Sequence, residues 1–147
     1  MSPVGRFRFS LETVLKVRGL REEQAKAEVA RAQQELERSR RALRETLELQ
    51  SRKMAELEAG DKEWTPQDFI IFRAYLEHLK TAVEGFKQRI EEQEAAVQER
   101  KEILKKRYQE RRLLEQLRQK HYAAYRRELM KDMEKETESI VLGRWNL

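Results

Sequence analysis

A chain of 147 residues has the length of one ordinary domain, but 40% of its residues are charged and only 7% are aromatic. Five glycines and two prolines are too few breakers for many short elements, and the apolar content is too thin for a layered core. The absence of cysteine excludes a disulfide framework and thiol chemistry, and a formal charge of +5 favours acidic partners.

Ser10 is a plausible N-cap after a short, basic and frayed opening that contains Pro3 and Gly5. The pattern predicts a first helix over about residues 10–58. Stepping alternately by three and four, its inner positions include Leu15, Ala25, Val29, Ala32, Leu36, Leu43 and Leu57, with Glu22 and Gln50 interrupting the stripe. A cluster of breakers follows at residues 59–65. Gly60 can take the left-handed conformation that ends a helix. Thr65, Pro66 and Asp68 stand as N-cap, first helical residue and capping-box acid of the next helix.

The second helix is predicted over about residues 66–142, with a short tail beyond Gly143. Phe69, Leu76, Val83, Ile90, Val97 and Leu104 recur every seven residues, and Phe72, Leu79 and Phe86 fill the alternate positions. Such a repeat predicts a left-handed coiled-coil seam. The fold expected is therefore all-α, a single antiparallel coiled-coil hairpin over residues 1–147 in which the second helix overhangs the first. Folding the chain about residue 63 sets Leu57 against Phe69, Leu43 against Val83 and Leu15 against Arg111. On that pairing the half near the turn is well packed, and the open half, where Ala25 and Ala32 face Gln93 and Arg100, is thin.

Charge is concentrated at the open end. Between Arg100 and Arg127 eleven basic residues stand against three acids, a net of +8. Residues 6–21 add Arg6, Arg8, Lys16, Arg18 and Arg21 against Glu12. Leu11, Val14, Leu15, Val17 and Leu20 cover more of the first helix than one partner needs. A wide apolar face inside a basic rim reads as a docking surface.

Signals for chemistry are missing. No glycine-rich phosphate loop is present, since Gly19 and Gly85 stand alone inside helical patterns, and His78 and His121 have no ligand-spaced partner. A two-helix hairpin offers no enclosed pocket. The expectation is a protein without catalytic activity, cofactor or metal. No apolar run approaches the roughly 20 residues that cross a bilayer, which predicts a soluble intracellular protein that meets membranes only through a partner. Acids interspersed among the bases, and no recognised reading motif, argue against nucleic-acid recognition.

Two stretches carry a family likeness. The run from Phe7 through Phe9, Leu11, Glu12, Val14, Leu15 and Val17 to Arg18 resembles the opening of the flagellar export protein FliJ family. The run from Leu114 through Leu117, Lys120, Tyr122 and Tyr125 to Glu128 resembles that family's second characteristic stretch. The resemblance implies a cytoplasmic component of the flagellar type III export apparatus, peripherally associated with the flagellar base. Such a protein is a coiled-coil stalk that binds the export ATPase ring and promotes its assembly. It also contacts the cytoplasmic domain of the large export-gate membrane protein and helps to handle substrate chaperones. The ATPase-docking residues implied are Leu11, Val14, Leu15, Arg18, Arg111, Arg112, Leu114, Arg118, Tyr122 and Tyr125. The gate contact maps onto Tyr75, Leu79, Ala82 and Phe86, of which Leu79 and Phe86 also lie on the expected seam. Two alternatives stand beside this one: the stalk protein of a virulence-type secretion system, and a nucleic-acid-binding coiled coil.

Overall fold

The computed structural model describes residues 6–145. It is all-α among those residues: α1 spans Glu12–Ala59 and α2 spans Pro66–Trp145, and the two helices pack on each other as a hairpin. The second helix has 80 residues against 48 in the first. Gly60 ends α1 with φ at +69°, the conformation that glycine adopts without a Cβ penalty. Thr65 and Asp68 close the box reciprocally. The Asp68 amide donates to Thr65 Oγ1 at 3.1 Å, and the Thr65 amide donates to Asp68 Oδ2 at 3.0 Å. Those bonds hold the Asp68 carboxyl below its ordinary pKa, the backbone amide of Thr65 contributing most, then its hydroxyl, with nearby Lys62 adding to them.

At the other end, α1 starts at Glu12, so Leu11 rather than the expected Ser10 stands at the cap position, after one three-residue turn. The Glu12 amide donates to the Phe9 carbonyl at 3.1 Å, and the Leu15 amide to the Leu11 carbonyl at 2.9 Å. The expected break at Gly143 does not occur, because α2 continues through it to Trp145. One glycine costs a helix about 1 kcal/mol, which its neighbours outweigh.

Two compact units divide the chain. Unit 2 is Ala25–Ile103, and unit 1 joins Met1–Gln24 to Leu104–Leu147. In unit 2 the core is Ala25, Val29, Leu36, Leu79, Val83 and Val97, with Ser39 also buried. This corrects the expected packing gradient. Phe69, next to the turn, keeps 49% of its surface exposed, whereas Ala25 keeps 5%. A pair of helices covers a small side chain completely, but leaves the flank of a large one in solvent. Phe69 instead turns toward the loop, where its ring lies 5.4 Å from that of Trp64.

The register differs too. Folding about residue 63 would set Glu12 opposite residue 114 and Glu22 opposite residue 104, but their partners are Arg118 and Arg111. Those lie four and seven residues further along α2. The backbone still turns at residues 60–65. Side chains on both helices lean toward their own N-termini, so in an antiparallel pair the long ones meet beyond the backbone register. The expected contact of Leu15 with Arg111 gives way to Glu22 for that reason.

Candidate docking surfaces

Unit 1 is held by charges and rings where a coiled coil would use apolar residues. Glu22 interrupts the α1 stripe and Arg111 occupies a seam position on α2, and the two defects pair. Arg111 Nε donates to Glu22 Oε2, and Arg111 Nη1 donates to Glu115 at 2.6 Å. Glu22 keeps only 5% of its surface exposed. The Arg111 guanidinium is held above its ordinary pKa, chiefly by the hydrogen bond to Glu22, against the opposing effect of burial. Arg18 Nη1 donates to the Glu110 carbonyl at 3.0 Å, and Arg118 Nε to Glu12 at 2.9 Å.

The opening residues are not frayed where they are described. Phe7 sits edge-to-face on Tyr122 at 5.1 Å and lies 5.4 Å from Tyr125, while Phe9, buried, meets His121 at 5.4 Å. The Arg118 guanidinium lies over the Phe7 ring at 5.7 Å. Each aromatic contact adds about 0.5–1.5 kcal/mol beyond the area it buries, so the arm of residues 6–9 is strapped to α2. Its sequence carries the signal: in Arg6-Phe7-Arg8-Phe9 polar and aromatic residues alternate, as an extended segment packed on one side requires.

These contacts sort the ten residues singled out from the sequence. Leu114 is buried and belongs to the core. Leu11, Leu15 and Tyr125 are half-buried, and Arg18, Arg111 and Arg118 are engaged in the bonds above. Val14, Arg112 and Tyr122 remain exposed. Exposure also adds residues outside that set. Val17 is 42% exposed, Leu20 65% and Leu113 66%. On α1, Val14 and Arg18 are i, i+4 neighbours, with Val17 beside them. On α2, Glu110, Leu113 and Leu117 follow at i+3 and i+7. The Arg18–Glu110 bond joins these two stripes, so Val14, Val17 and Leu113 share one flank of unit 1. Arg21 and Arg112 stand among the exposed cations of the same unit.

Unit 2 carries the other candidate surface. Leu79 is buried in its core, while Tyr75, Ala82 and Phe86 are half-buried. Lys53 lies over the Tyr75 ring at 5.9 Å and Arg89 over the Phe86 ring at 5.8 Å. Beside Tyr75 opens a cleft of about 500 Å³ lined by Trp64, Ile71, Phe72 and the charged groups of Lys53, Lys62 and Asp68. The sequence pattern missed Trp64, Ile70 and Ile71 here. The two isoleucines are 69% and 62% exposed because they fall off the heptad seam.

Neither surface resembles a site of metal chemistry. Among the described residues, no group of His, Asp and Glu is arranged to hold a metal ion, and no helix is long and apolar enough to cross a membrane. Fold and surface together define an all-α hairpin protein with a basic, aromatic-strapped unit. The chain belongs to the FliJ family: the family model described as Flagellar FliJ protein matches residues 7–146. That membership makes it a component of the flagellar export apparatus. No curated protein and no solved structure matches the chain significantly.

Proposed function

We propose that this chain is a stalk that docks into the export ATPase ring through unit 1 and promotes the ring's assembly and activity. The observation that carries the reading is the exposed apolar flank of Val14, Val17 and Leu113 set among the cations of unit 1. An apolar strip inside a charged rim is how a docking patch differs from a solvated face. Among the residues first singled out, Val14, Arg112 and Tyr122 make contact directly; Arg18, Arg111, Arg118 and Leu114 hold the helices that present them. Tyr75, Ala82 and Phe86, shaped from beneath by Leu79, form the contact with the cytoplasmic domain of the export gate, and substrate chaperones are handled from the same protein. Its place is cytoplasmic, at the base of the flagellum.

Steady-state ATP hydrolysis by the cognate export ATPase, with and without this protein, tests the reading. The native chain should stimulate turnover, and a Val14→Glu, Leu113→Glu variant with unchanged helicity should not. Equal stimulation by both would sink it. No stimulation by either, with tight salt-dependent binding to arbitrary DNA, would favour a nucleic-acid coiled coil.

A further inference from the structure

The strapped arm builds a concave site that the docking flank does not include. Along residues 6–9 the phenyl rings turn inward and the arginines outward: Phe7 is half-buried and Phe9 buried, while Arg6 and Arg8 are exposed. Arg6 and Arg8 form no ion pair with any described residue, unlike Arg111 and Arg118 of the same unit. Beside the arm lies a cleft of about 460 Å³ whose floor is Phe7, Ala124 and Tyr125, with Arg6, Arg8, His121 and Glu128 around it. A second cleft of about 390 Å³ shares Arg6, Phe7 and Arg8 and reaches Glu12 and Arg118. Two uncommitted guanidinium forks thus stand over an apolar floor that is fixed by ring contacts of 5.1 and 5.4 Å.

We infer that this arm is a binding site for an acidic segment of a partner protein, one that places an aliphatic or aromatic side chain in the cleft and carboxylates on Arg6 and Arg8. A guanidinium matches a carboxylate through two parallel N–H···O bonds, and neither of the two acids beside the clefts is paired with Arg6 or Arg8: Glu12 bonds Arg118 and Glu128 bonds Lys131. The apolar floor adds burial of one face of a large side chain, as an open groove of this size allows.

Nucleic acid fits less well. Glu12 and Glu128 edge the two clefts and would repel a continuous phosphate backbone, whereas a peptide with one or two acids passes between them. The rings are also engaged with one another rather than splayed as a stacking platform. Phe7 lies against Arg118, Tyr122 and Tyr125, and Tyr122 and Tyr125 are stacked on each other at 6.2 Å. A second copy would bring a unit of the same positive sign, with like-charge repulsion.

The inference rests on the stalk reading and identifies the chemistry of the segment that the ATPase offers. Calorimetric titration of the full chain into the cognate export ATPase tests it. Arg6→Glu/Arg8→Glu should bind at least tenfold more weakly with unchanged helicity. Ala124→Trp, which fills the cleft without altering charge, should also bind at least tenfold more weakly. If the native chain binds and either variant binds as well as it does, the arm site is wrong and the stalk reading stands. If the native chain does not bind the ATPase, both fall. Three further results would overturn the inference by assigning the cleft elsewhere. One is binding of a twenty-residue oligothymidylate that depends on Arg6 and Arg8. Another is self-association abolished by Arg6→Glu/Arg8→Glu. The third is markedly tighter ATPase binding after deletion of residues 2–5, which would place the chain's own opening in the cleft.

Discussion

Unit 2 and unit 1 use the same two helices and hold them by different physics. In unit 2 the seam is aliphatic, with Leu36, Leu79, Val83 and Val97 buried, and its cross-helix ion pairs, Arg40–Glu94 and Arg100–Glu28, are exposed at 3.3 and 3.4 Å. Exposed pairs of that kind contribute about 0–1 kcal/mol and are screened by salt. In unit 1 charged residues occupy the seam itself. Glu22 is as buried as any core leucine, and the arm adds an aromatic clasp. An apolar seam accepts neighbouring registers at small cost, whereas a buried ion pair and a clasp fix one. The unit that fixes its register most tightly is the one that exposes Val14, Val17 and Leu113.

This contrast can be broken by substitution. Arg111→Leu removes the guanidinium from a nearly buried carboxylate and should destabilise the protein by about 3 kcal/mol. Pairing it with Glu22→Leu should restore most or all of the loss, since a well-packed apolar pair often equals a buried ion pair. Chemical denaturation of the two single variants and the double variant measures the coupling directly. Leu79→Ala in unit 2 should cost about 2–3 kcal/mol with little dependence on salt, because it removes only packing. Phe7→Ala should cost less, about 1–2 kcal/mol, and should speed amide exchange around Tyr122 and Tyr125 while leaving unit 2 unchanged.

The smallest effect is at the capping box. Thr65→Ala should cost about 1 kcal/mol. Because Asp68 has a lowered pKa in the folded chain, its contribution is present above the ordinary carboxylate range and is lost as pH falls through the folded value. The native chain should therefore lose part of its stability on acidification below that range, and Thr65→Ala should lose less. A parallel acid profile in the two proteins would mean that the Thr65 hydroxyl contributes nothing measurable to the shift, which then rests on the Thr65 amide and Lys62.

Much of the fold was legible because it rests on local rules. Gly60, Thr65, Pro66 and Asp68 announce the turn and its caps, and the seven-residue repeat from Phe69 to Leu104 announces the second helix. Register was not legible, because it depends on which way long side chains lean. Knowing that Glu22 breaks one stripe and Arg111 breaks the other does not reveal that they meet. Which apolar residues of unit 1 stay exposed was half legible. Heptad position alone does not separate Leu114, which the core consumes, from Leu113, which it leaves 66% exposed. The arm was hidden for a different reason: the alternation of its four residues says that one side is packed, but not that Tyr122 and Tyr125 lie under it.

Hydrogen–deuterium exchange of the full chain, alone and with the cognate export ATPase, is the most direct test of the claim that unit 1 is the docking unit. Binding should slow exchange in residues 6–21 and 104–125 and leave residues 69–86 at their free rate. Protection confined to residues 69–86, or none in unit 1 while the complex is demonstrably formed, would contradict the account.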